Sequence, residues 1–568
     1  MKYFYRRILL VISFIVYTLS VFAQYPEWND PNSLPQWMTP EEELRRDEIG
    51  KNFIASSFPT SPIHNIAEFE RMEAVLIRYP LGISTALVAA MSQHTKVLTI
   101  VSEQTIQNIA FNTFQSAGVN MVNCQFLVAP SNSYWTRDYG PMYVTEGDNQ
   151  VSIVNFIYNR SRPKDDSIPI RVAQYYNIPV YSMPLTTAGG NYMCDGSGNA
   201  ASTDLVYSEN GNNPVLVNQL VHNYLGINTY HVTIDPPGAY IKHIDCWGKF
   251  LDVDKILIGQ VPSTHARYWA FEQVANYFAN QISAYGTPFR VFRIYTPNLQ
   301  PYTNSLILNN KVYVPIVNST FDAQALQAYR NAMPGYEVLG FTGSWQSTDA
   351  LHCRALGLAD RNMLRISHIP INGTHQYQPA FNILANIIPY SGSALKTDSL
   401  LVFYKANQGI YKTATLNLVS GNTYTATIPV ASGDTLITYY LFAADQSGCR
   451  ENWPLIGSPG ARSFKVAFPT GNHDTPLTRF DFRVWPNPAR YDANIEFRLP
   501  VSSHVTIDIF DLQGRKVATL VNEIRNSGTY ALHWNGTSSD GKVIPEGINV
   551  VRMIAGNQVI SRKIVFTR

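Results

Sequence analysis

The sequence predicts an α/β catalytic region followed by two β-sandwiches. Three observations predict it. From about residue 65 to 375, short β-branched runs alternate with amphipathic stretches. After about His375 the helical periodicity stops, and segments alternate apolar and polar residues between turns. A polar stretch, Thr470 to Arg479, then sets apart a last group of strand-like segments.

At the start, Lys2, Arg6 and Arg7 precede the apolar stretch Ile8 to Phe22, which ends at Ala23-Gln24. This is the pattern of a secretory signal peptide over residues 1–23, with cleavage expected after Ala23. The apolar stretch has 15 residues, short of the ~20 that span a bilayer. No later stretch is long and apolar enough to cross one, so no transmembrane segment is expected. Five cysteines at wide, irregular spacing cannot all pair, and at least one thiol must stay free. No CxxC, HExxH or EF-hand pattern occurs, so no dedicated metal site is expected. The formal net charge of +2 gives no reason to propose nucleic acid as a partner.

Residues 24–60 are rich in Pro, Trp and charge and form a leader or clasp. One short helix is expected after Thr39-Pro40, with Thr39 as cap and Glu41 to Glu43 favouring the positive end. The catalytic region, 61–375, opens with strand, helix, strand, helix at Ala74 to Tyr79, Ser84 to His94, Lys96 to Val101 and Glu103 to Ala117. The alternation returns at Ile256 to Val261, His265 to Ala284, Phe289 to Ile294, Lys311 to Ile316 and Asp322 to Ala332. Residues 376–468 carry strands at Ser399 to Tyr404, Tyr411 to Asn417, Thr423 to Pro429 and Thr435 to Ala444, the pattern of an immunoglobulin-like sandwich. Residues 469–482 are a linker. In 483–568 the alternation Val505-Thr506-Ile507-Asp508-Ile509-Phe510 is a half-buried strand, and glycines punctuate hairpins.

That last region, opening with Val484-Trp485-Pro486-Asn487-Pro488 and running through Gln513-Gly514-Arg515 and Trp534-Asn535-Gly536, resembles the C-terminal sorting domain of proteins exported by type IX secretion. The resemblance implies the type IX machinery as a partner, passage across the outer membrane, and an extracellular or cell-surface destination. In that family the domain is often removed as the protein is attached to surface lipopolysaccharide.

The chemistry lies in the α/β region. In an extended segment His243 and Asp245 share one face. Cys353 directly follows His352, and Asp138 stands in Trp135-Thr136-Arg137-Asp138. A thiol supplies a nucleophile, a histidine shuttles its protons, and carboxylates not needed for a metal can hold a positive group. A guanidinium suits such carboxylates because its planar fork of N–H donors is bound bidentately. Each residue alone has a plainer reading. A free cysteine is more often buried and inert, Asp138 can pair with Arg137, Trp135 can be a core residue, and Asn304 can be a turn residue. Arg160 and Arg162 in an extended segment would form a clamp for a carboxylate, or would pair with Asp165 and Asp166.

Read in order, Trp135-Thr136-Arg137-Asp138, Gly189-Gly190-Asn191, His243-Ile244-Asp245, Asn304 and Asp349-Ala350-Leu351-His352-Cys353 resemble the guanidine-modifying enzymes, and among them the bacterial secreted peptidylarginine deiminases, over about 60 to 465. The resemblance implies a five-bladed α/β-propeller of ββαβ units. It implies a Cys353 nucleophile, His243 as acid and base, Asp138 and Asp245 on the guanidinium, and Asn304 positioning substrate or the cysteine loop. Trp135 would pack over the cation or its stem. Arg160 and Arg162, with Tyr240 nearby, would recognise the free C-terminal carboxylate of a peptide ending in arginine. The substrate would be a peptide or protein, the product citrulline, and the reaction would need no organic cofactor and no metal.

Two details depart from that pattern: Asp138-Tyr139-Gly140-Pro141 is closer to agmatine deiminases, and Cys194 stands where a hydroxyl residue is expected. The Cys353 loop, by contrast, lacks the glycine-rich lead-in of agmatine deiminases, which points back to the peptide enzyme. The alternatives are a deiminase of agmatine or free arginine, an exported cysteine peptidase, and a non-catalytic surface adhesin. The order of thiol, base and two acids disfavours the last.

Overall fold

The structure is a computed structural model that describes residues 34–147, 150–468, 480–490 and 492–567. The signal peptide expected at 1–23, the first part of the leader, and most of the linker expected at 469–482 lie outside the described residues. The chain divides into two compact units, Met1–Val466 and Ala467–Arg568.

Five small sheets form the α/β part of the first unit among the described residues. They share one logic. An antiparallel pair is followed by helix and then by a strand parallel to the second of the pair. Gly248–Asp252, Lys255–Gln260, helix Tyr268–Ala279 and Arg290–Tyr295 are one example. Leu306–Leu308, Lys311–Ile316, helix Asp322–Ala332 and Glu337–Thr342 are another. A tight turn serves an antiparallel neighbour, whereas a parallel neighbour needs a crossover, which the helix supplies. One sheet is closed by residues far apart in sequence. Leu356–Ala359 pairs antiparallel with Met72–Arg78, which lies parallel to Lys96–Val101, and that strand to Cys124–Val128. Val75, Leu76, Val97, Leu98 and Ile100 are fully buried, as expected of strands covered on both faces.

Local chemistry sets the helix ends. Ser84 Oγ accepts from the Leu87 amide at the start of Thr85–Ser92. Pro214–Leu225 starts at Asn213, whose side chain accepts from Leu216, and stops at Gly226 in the left-handed region at φ 68°. A Cβ on Gly226 would lie 2.4 Å from Ile63 O, so only glycine fits there. The helix Pro40–Glu43 carries a full capping box between Thr39 and Glu42.

Two antiparallel sheets follow. Leu364–Ser367, Ala380–Pro389, Thr423–Pro429 and Asn417–Ser420 form one; Thr374–Gln376, Arg462–Ala467, Leu436–Ala444, Leu401–Ala406 and Lys412–Thr415 form the other, with Arg450–Trp453 beside Leu436–Ala444. This region begins at Leu364, ahead of the boundary expected at 376, because Leu364–Ser367 takes its partner from Ala380–Pro389 rather than from the α/β sheets. Phe381 and Phe464 pack between the sheets with ring centroids 4.8 Å apart. Two ionic contacts, that of Arg71 half-buried and that of Arg462 buried, fasten the pair of sheets to the α/β part. Arg71 donates twice to Glu451 at 2.8 Å. Arg462 donates to Asp252 at 2.8 Å and to both oxygens of Asp254 at 3.2 Å.

The second unit is two further antiparallel sheets. Asp481–Trp485, Ala493–Leu499 and Gly528–Trp534 form one, and Lys516–Arg525, Ser503–Asp511, Gly547–Ala555 and Gln558–Phe566 the other. Phe482, Ile495, Phe497, Ile507, Ile509 and Met553 lie in its core.

Replacing Arg462 by methionine removes one of two cations from each aspartate, leaving Asp254 with Arg290 at 2.9 Å and Asp252 with Lys255 at 3.6 Å. We expect a loss of about 1–3 kcal/mol, the cost of losing charge-assisted hydrogen bonds to carboxylates that keep a second cation, seen as a lower urea midpoint. An unchanged midpoint would show that the contact adds no net stability.

Candidate active site

Five of the residues singled out in sequence meet in one buried pocket. Asp138 lies in the single turn Thr136–Tyr139, Asn304 in the loop before Leu306–Leu308, and Cys353 in the 3-10 turn His352–Arg354. His243 is extended, but Ile244–Cys246 is a 3-10 turn and Lys242 adopts φ 49°. The expectation of a continuous extended segment is therefore corrected. The turn, not strand alternation, brings His243 and Asp245 to one site. Asp138, His243, Asp245, Asn304 and Cys353 are each at most 3% exposed.

His243 Nδ1 lies 3.5 Å from Asp138 Oδ1. Cys353 Sγ lies 3.7 Å from Asp245 Oδ2 and 3.3 Å from Asn304 Nδ2. Asn304 Oδ1 accepts from the backbone amides of His352 at 2.9 Å and Cys353 at 3.4 Å. Its place on the cysteine loop is thus direct. A Cβ on Gly190 would fall 2.5 Å from Asp138 Oδ1, 2.6 Å from His243 Nδ1 and 3.3 Å from Asp245 Oδ2. Gly190 is the point where the three side chains close in, and a larger residue would push them apart. Asn191 Oδ1 accepts from both Thr203 N and Thr203 Oγ1 at 3.0 Å, and Thr203 Oγ1 donates to Lys242 O at 2.6 Å, tethering the backbone beside His243.

A buried chain of ionic contacts stands behind Asp245. His352 Nδ1 is 2.7 Å from Asp245 Oδ2, and His352 Nε2 is 2.5 Å from Glu68 Oε2. Glu68 also accepts from Arg137 at 2.8 Å, Lys249 at 3.0 Å and the Ile307 amide at 2.8 Å. Arg137 is therefore bound to Glu68, and its pairing with Asp138 is excluded in this structure. Sequence reasoning passed over Glu68 and saw His352 only as a neighbour of the thiol. The one available signal was the His352-Cys353 adjacency. Arg354 and Asp349 close the cysteine loop with a bidentate pair at 2.9 and 2.5 Å.

The electrostatics divide the two carboxylates. Burial, reinforced by the charge of Asp245, pushes Asp138 up to about 8. Burial also opposes ionisation of Asp245, but the hydrogen bond and charge of His352 outweigh it and hold Asp245 below the usual carboxylate range. Burial lowers His243 to about 4. The Cys353 thiol is pushed well above its ordinary value by burial and by Asp245, Asp138 and Asp349. At neutral pH the pocket therefore holds a neutral Asp138, an ionised Asp245, a neutral imidazole and a thiol. Asp138 Oδ1 and both His243 ring nitrogens are buried without a hydrogen-bond partner. Each such atom costs about 1–3 kcal/mol, which a planar cation bearing N–H groups would relieve. Among the described residues no group of His, Cys, Asp and Glu is arranged to hold a metal.

The remaining predicted residues stand elsewhere or are already engaged. Trp135 is buried, its Nε1 donates to Leu34 O at 2.9 Å, and the cation over its ring is the chain's own Arg354, 5.5 Å from the centroid. Arg160 donates to Gln36 O at 3.1 Å and to Asn159 Oδ1 at 2.8 Å, and Arg162 donates to Glu42 at 2.6 and 3.0 Å. Asp165 and Asp166, the alternative partners, are turned to other groups. Asp165 accepts from Asn132 N at 2.6 Å and Ser133 Oγ at 2.7 Å, and Asp166 from Tyr158 N at 2.8 Å. Tyr240 is 70% exposed and is not brought to the pocket. Cys194 Sγ lies near Ile66 O at 3.5 Å and lines a cavity with Glu68, Asp245 and His352. All five cysteines are free thiols.

Asn304→Ala removes two acceptor contacts to the cysteine loop and one donor contact to Sγ. We expect a loss of about 1–3 kcal/mol and faster hydrogen exchange at the His352 and Cys353 amides. Unchanged exchange at both would show that Asn304 does not hold the loop.

Residues 483–567 match the secretion system C-terminal sorting domain. This tail addresses the protein across the outer membrane, to the cell surface or the extracellular space. A protein of Yersinia pseudotuberculosis provisionally named agmatine deiminase is 22% identical over 276 residues, 40% of this chain and 74% of that protein. The agmatine deiminase of Enterococcus faecalis aligns with a TM-score of 0.49 and 18% identity, over 54% of this chain and 99% of that one. A further crystal structure, provisionally named agmatine deiminase, gives a TM-score of 0.50 and 18% identity over 54% of this chain and 99% of that one, a likeness of fold alone. Residues 64–354 match the Porphyromonas-type peptidyl-arginine deiminase family. That span holds every residue of the buried pocket, and the chain belongs to this family of hydrolases acting on the carbon–nitrogen bonds of amidines.

Proposed function

We propose that the protein deiminates peptidyl-arginine, preferably arginine at a C-terminus, to citrulline and ammonia. The observation that carries this reading is the convergence of a neutral imidazole and two carboxylates of unlike protonation around Gly190, with the Cys353 thiol 3.7 Å from Asp245. In this reading the five α/β sheets are the blades of a propeller with the pocket at its axis, and the two sheets after them are an immunoglobulin-like domain that braces it. The domain limits are those expected from sequence, with the brace starting at Leu364. Attachment to surface lipopolysaccharide after removal of the sorting domain belongs to the same reading.

Asp138 and Asp245 hold the guanidinium and keep its carbon still beside Sγ. The charge of the substrate lowers the thiol, His243 takes the Sγ proton, and the thiolate bonds to the guanidinium carbon. His243 returns that proton to one amino group, ammonia leaves, and a thiouronium remains on Cys353. Water then adds to the same carbon and gives a proton to His243. As the carbon–sulfur bond breaks, the hydroxyl proton passes to Sγ, leaving the urea of citrulline. His243 discharges to solvent, and the ammonia departs as ammonium.

Arg160 and Arg162 favour a peptide with a free carboxylate, since agmatine has none. Arg160 lies near enough to Asp138 and His243 for its charge to act on both. The relatives provisionally named agmatine deiminase favour the second reading, agmatine as substrate. Citrulline assays on paired peptides with arginine at the C-terminus or internally, alongside agmatine and free arginine, separate them. We expect turnover of the C-terminal peptide that disappears in Cys353→Ala. Turnover of agmatine alone would discard the peptide reading, and no ureido product from any substrate would discard deimination.

The raised Asp138 fixes the sign of the pH dependence. Below about 8 the free enzyme holds a proton on Asp138, and binding of a cation must expel it. At pH 7 such a group is ionised in only about one molecule in ten. We expect kcat/KM to rise up to tenfold per pH unit below that value and to level off above it. A flat profile from pH 6 to 9, with Asp138→Asn still active, would contradict this role.

A further inference from the structure

The carboxylate receptor assigned above to the substrate is occupied by the chain itself. Residues 34–45 lie across the groups that sequence analysis reserved for a peptide. Leu34 O accepts from Trp135 Nε1 at 2.9 Å. Pro35 O and Trp37 O accept from Arg162 Nη2 at 2.6 and 2.9 Å. Gln36 O accepts from Arg160 Nε at 3.1 Å, and Gln36 Nε2 donates to Thr348 Oγ1 at 2.7 Å, on the loop that leads to Cys353. The Glu42 carboxylate takes Arg162 bidentately, Oε1 from Nε at 2.6 Å and Oε2 from Nη2 at 3.0 Å.

Beyond Glu42 the strap is tied by Ser161, whose Oγ donates to Glu42 O at 3.1 Å and Arg45 O at 2.9 Å. Gln36, Met38 and Glu42 are buried, unlike most of the leader. The same Glu42 side chain accepts from Thr39 N at 2.8 Å, so the helix cap presents the carboxylate already oriented. A bidentate carboxylate on arginine, flanked by backbone carbonyls, is the chemistry by which a peptide C-terminus would be held. Arg45 is still held, its Nη2 donating to Ser161 O at 3.4 Å, and the Arg46 side chain then turns outward, 61% exposed.

We infer that residues 34–46 are a built-in competitor of the substrate, with Glu42 standing in for the substrate's terminal carboxylate on Arg162, and that loss of this contact opens the site. The inference rests on the peptide reading proposed above. Two routes release the strap. One is removal of the Glu42 charge, and the other is a cut after Arg46 by a protease of trypsin-like specificity, which turns an intramolecular ligand into a dissociable one. A tethered ligand acts at an effective concentration on the order of millimolar, so an external peptide competes poorly until the tether is lost.

The test compares the chain from residue 24 carrying Glu42 or Glu42→Ala, and the same protein cut after Arg46 with immobilised trypsin. The Cys353→Ala background, read by fluorescence anisotropy of a labelled peptide ending in arginine, decides the matter without turnover. We expect Kd to fall by roughly tenfold or more in Glu42→Ala and in the cut protein, with little gain for the same peptide amidated at its C-terminus. In the active enzyme the same two forms should show the gain in KM rather than kcat. Equal Kd in all three forms would overturn the strap while leaving the deiminase reading standing. Binding that improves as expected, with no citrulline formed by the Cys353 enzyme, would overturn the reaction and keep the strap. No binding by any form would overturn both.

Discussion

Everything in this structure turns on the burial of two carboxylates beside one imidazole. Like charges cannot both be ionised at such a site without a cation, and burial makes ionisation costlier still. The protein resolves the conflict asymmetrically. Asp245 keeps its charge because His352, itself gripped by Glu68, stands behind it. Asp138 has the Gly190 amide, the distant charge of Arg160 and the unbonded edge of His243 at 3.5 Å, which do not offset its burial beside Asp245, and it takes a proton instead. The site is thus prepared for a guest that brings positive charge and N–H donors together.

That asymmetry is built by distant parts of the chain. Glu68 precedes the first strand of the sheet that Leu356–Ala359 closes, and Arg137 and Lys249 neutralise it from two other segments. Gly190 admits three side chains where any Cβ would collide. Asn304 fixes the cysteine loop from a fourth direction. The α/β part and the sheets that follow it are joined by Arg71 to Glu451 and by Arg462 to Asp252 and Asp254.

Local pattern made much of this legible. The helix expected at Asp322 to Ala332 occurs with those bounds, and the capped turn after Thr39 carries the capping box its sequence suggests. The residues of the pocket were legible as an ordered set, but they stand in turns and loops just ahead of strands rather than where strands give way to loops. What stayed hidden is long-range. Nothing near Glu68 announces a histidine 284 positions later, and the contact of Glu42 with Arg162 spans 120 positions. The arginine clamp was read from alternation, which shows that two side chains share a face but not that another segment already fills it. The His243 segment was read as extended because its residues favour strands, whereas Lys242 in the left-handed region forces a turn. The α/β region was drawn to 375 because the pairing of Leu364–Ser367 with Ala380–Pro389 leaves no local mark.

The most direct test is the infrared carboxyl spectrum of the Cys353→Ala protein at pH 7, recorded with and without a guanidinium-bearing peptide. The account predicts a protonated-carboxyl band that is missing in Asp138→Asn and that disappears when the peptide binds. A spectrum with no such band in the free protein, or a band that survives saturation with peptide, would contradict the view that a cationic substrate completes this site by ionising Asp138.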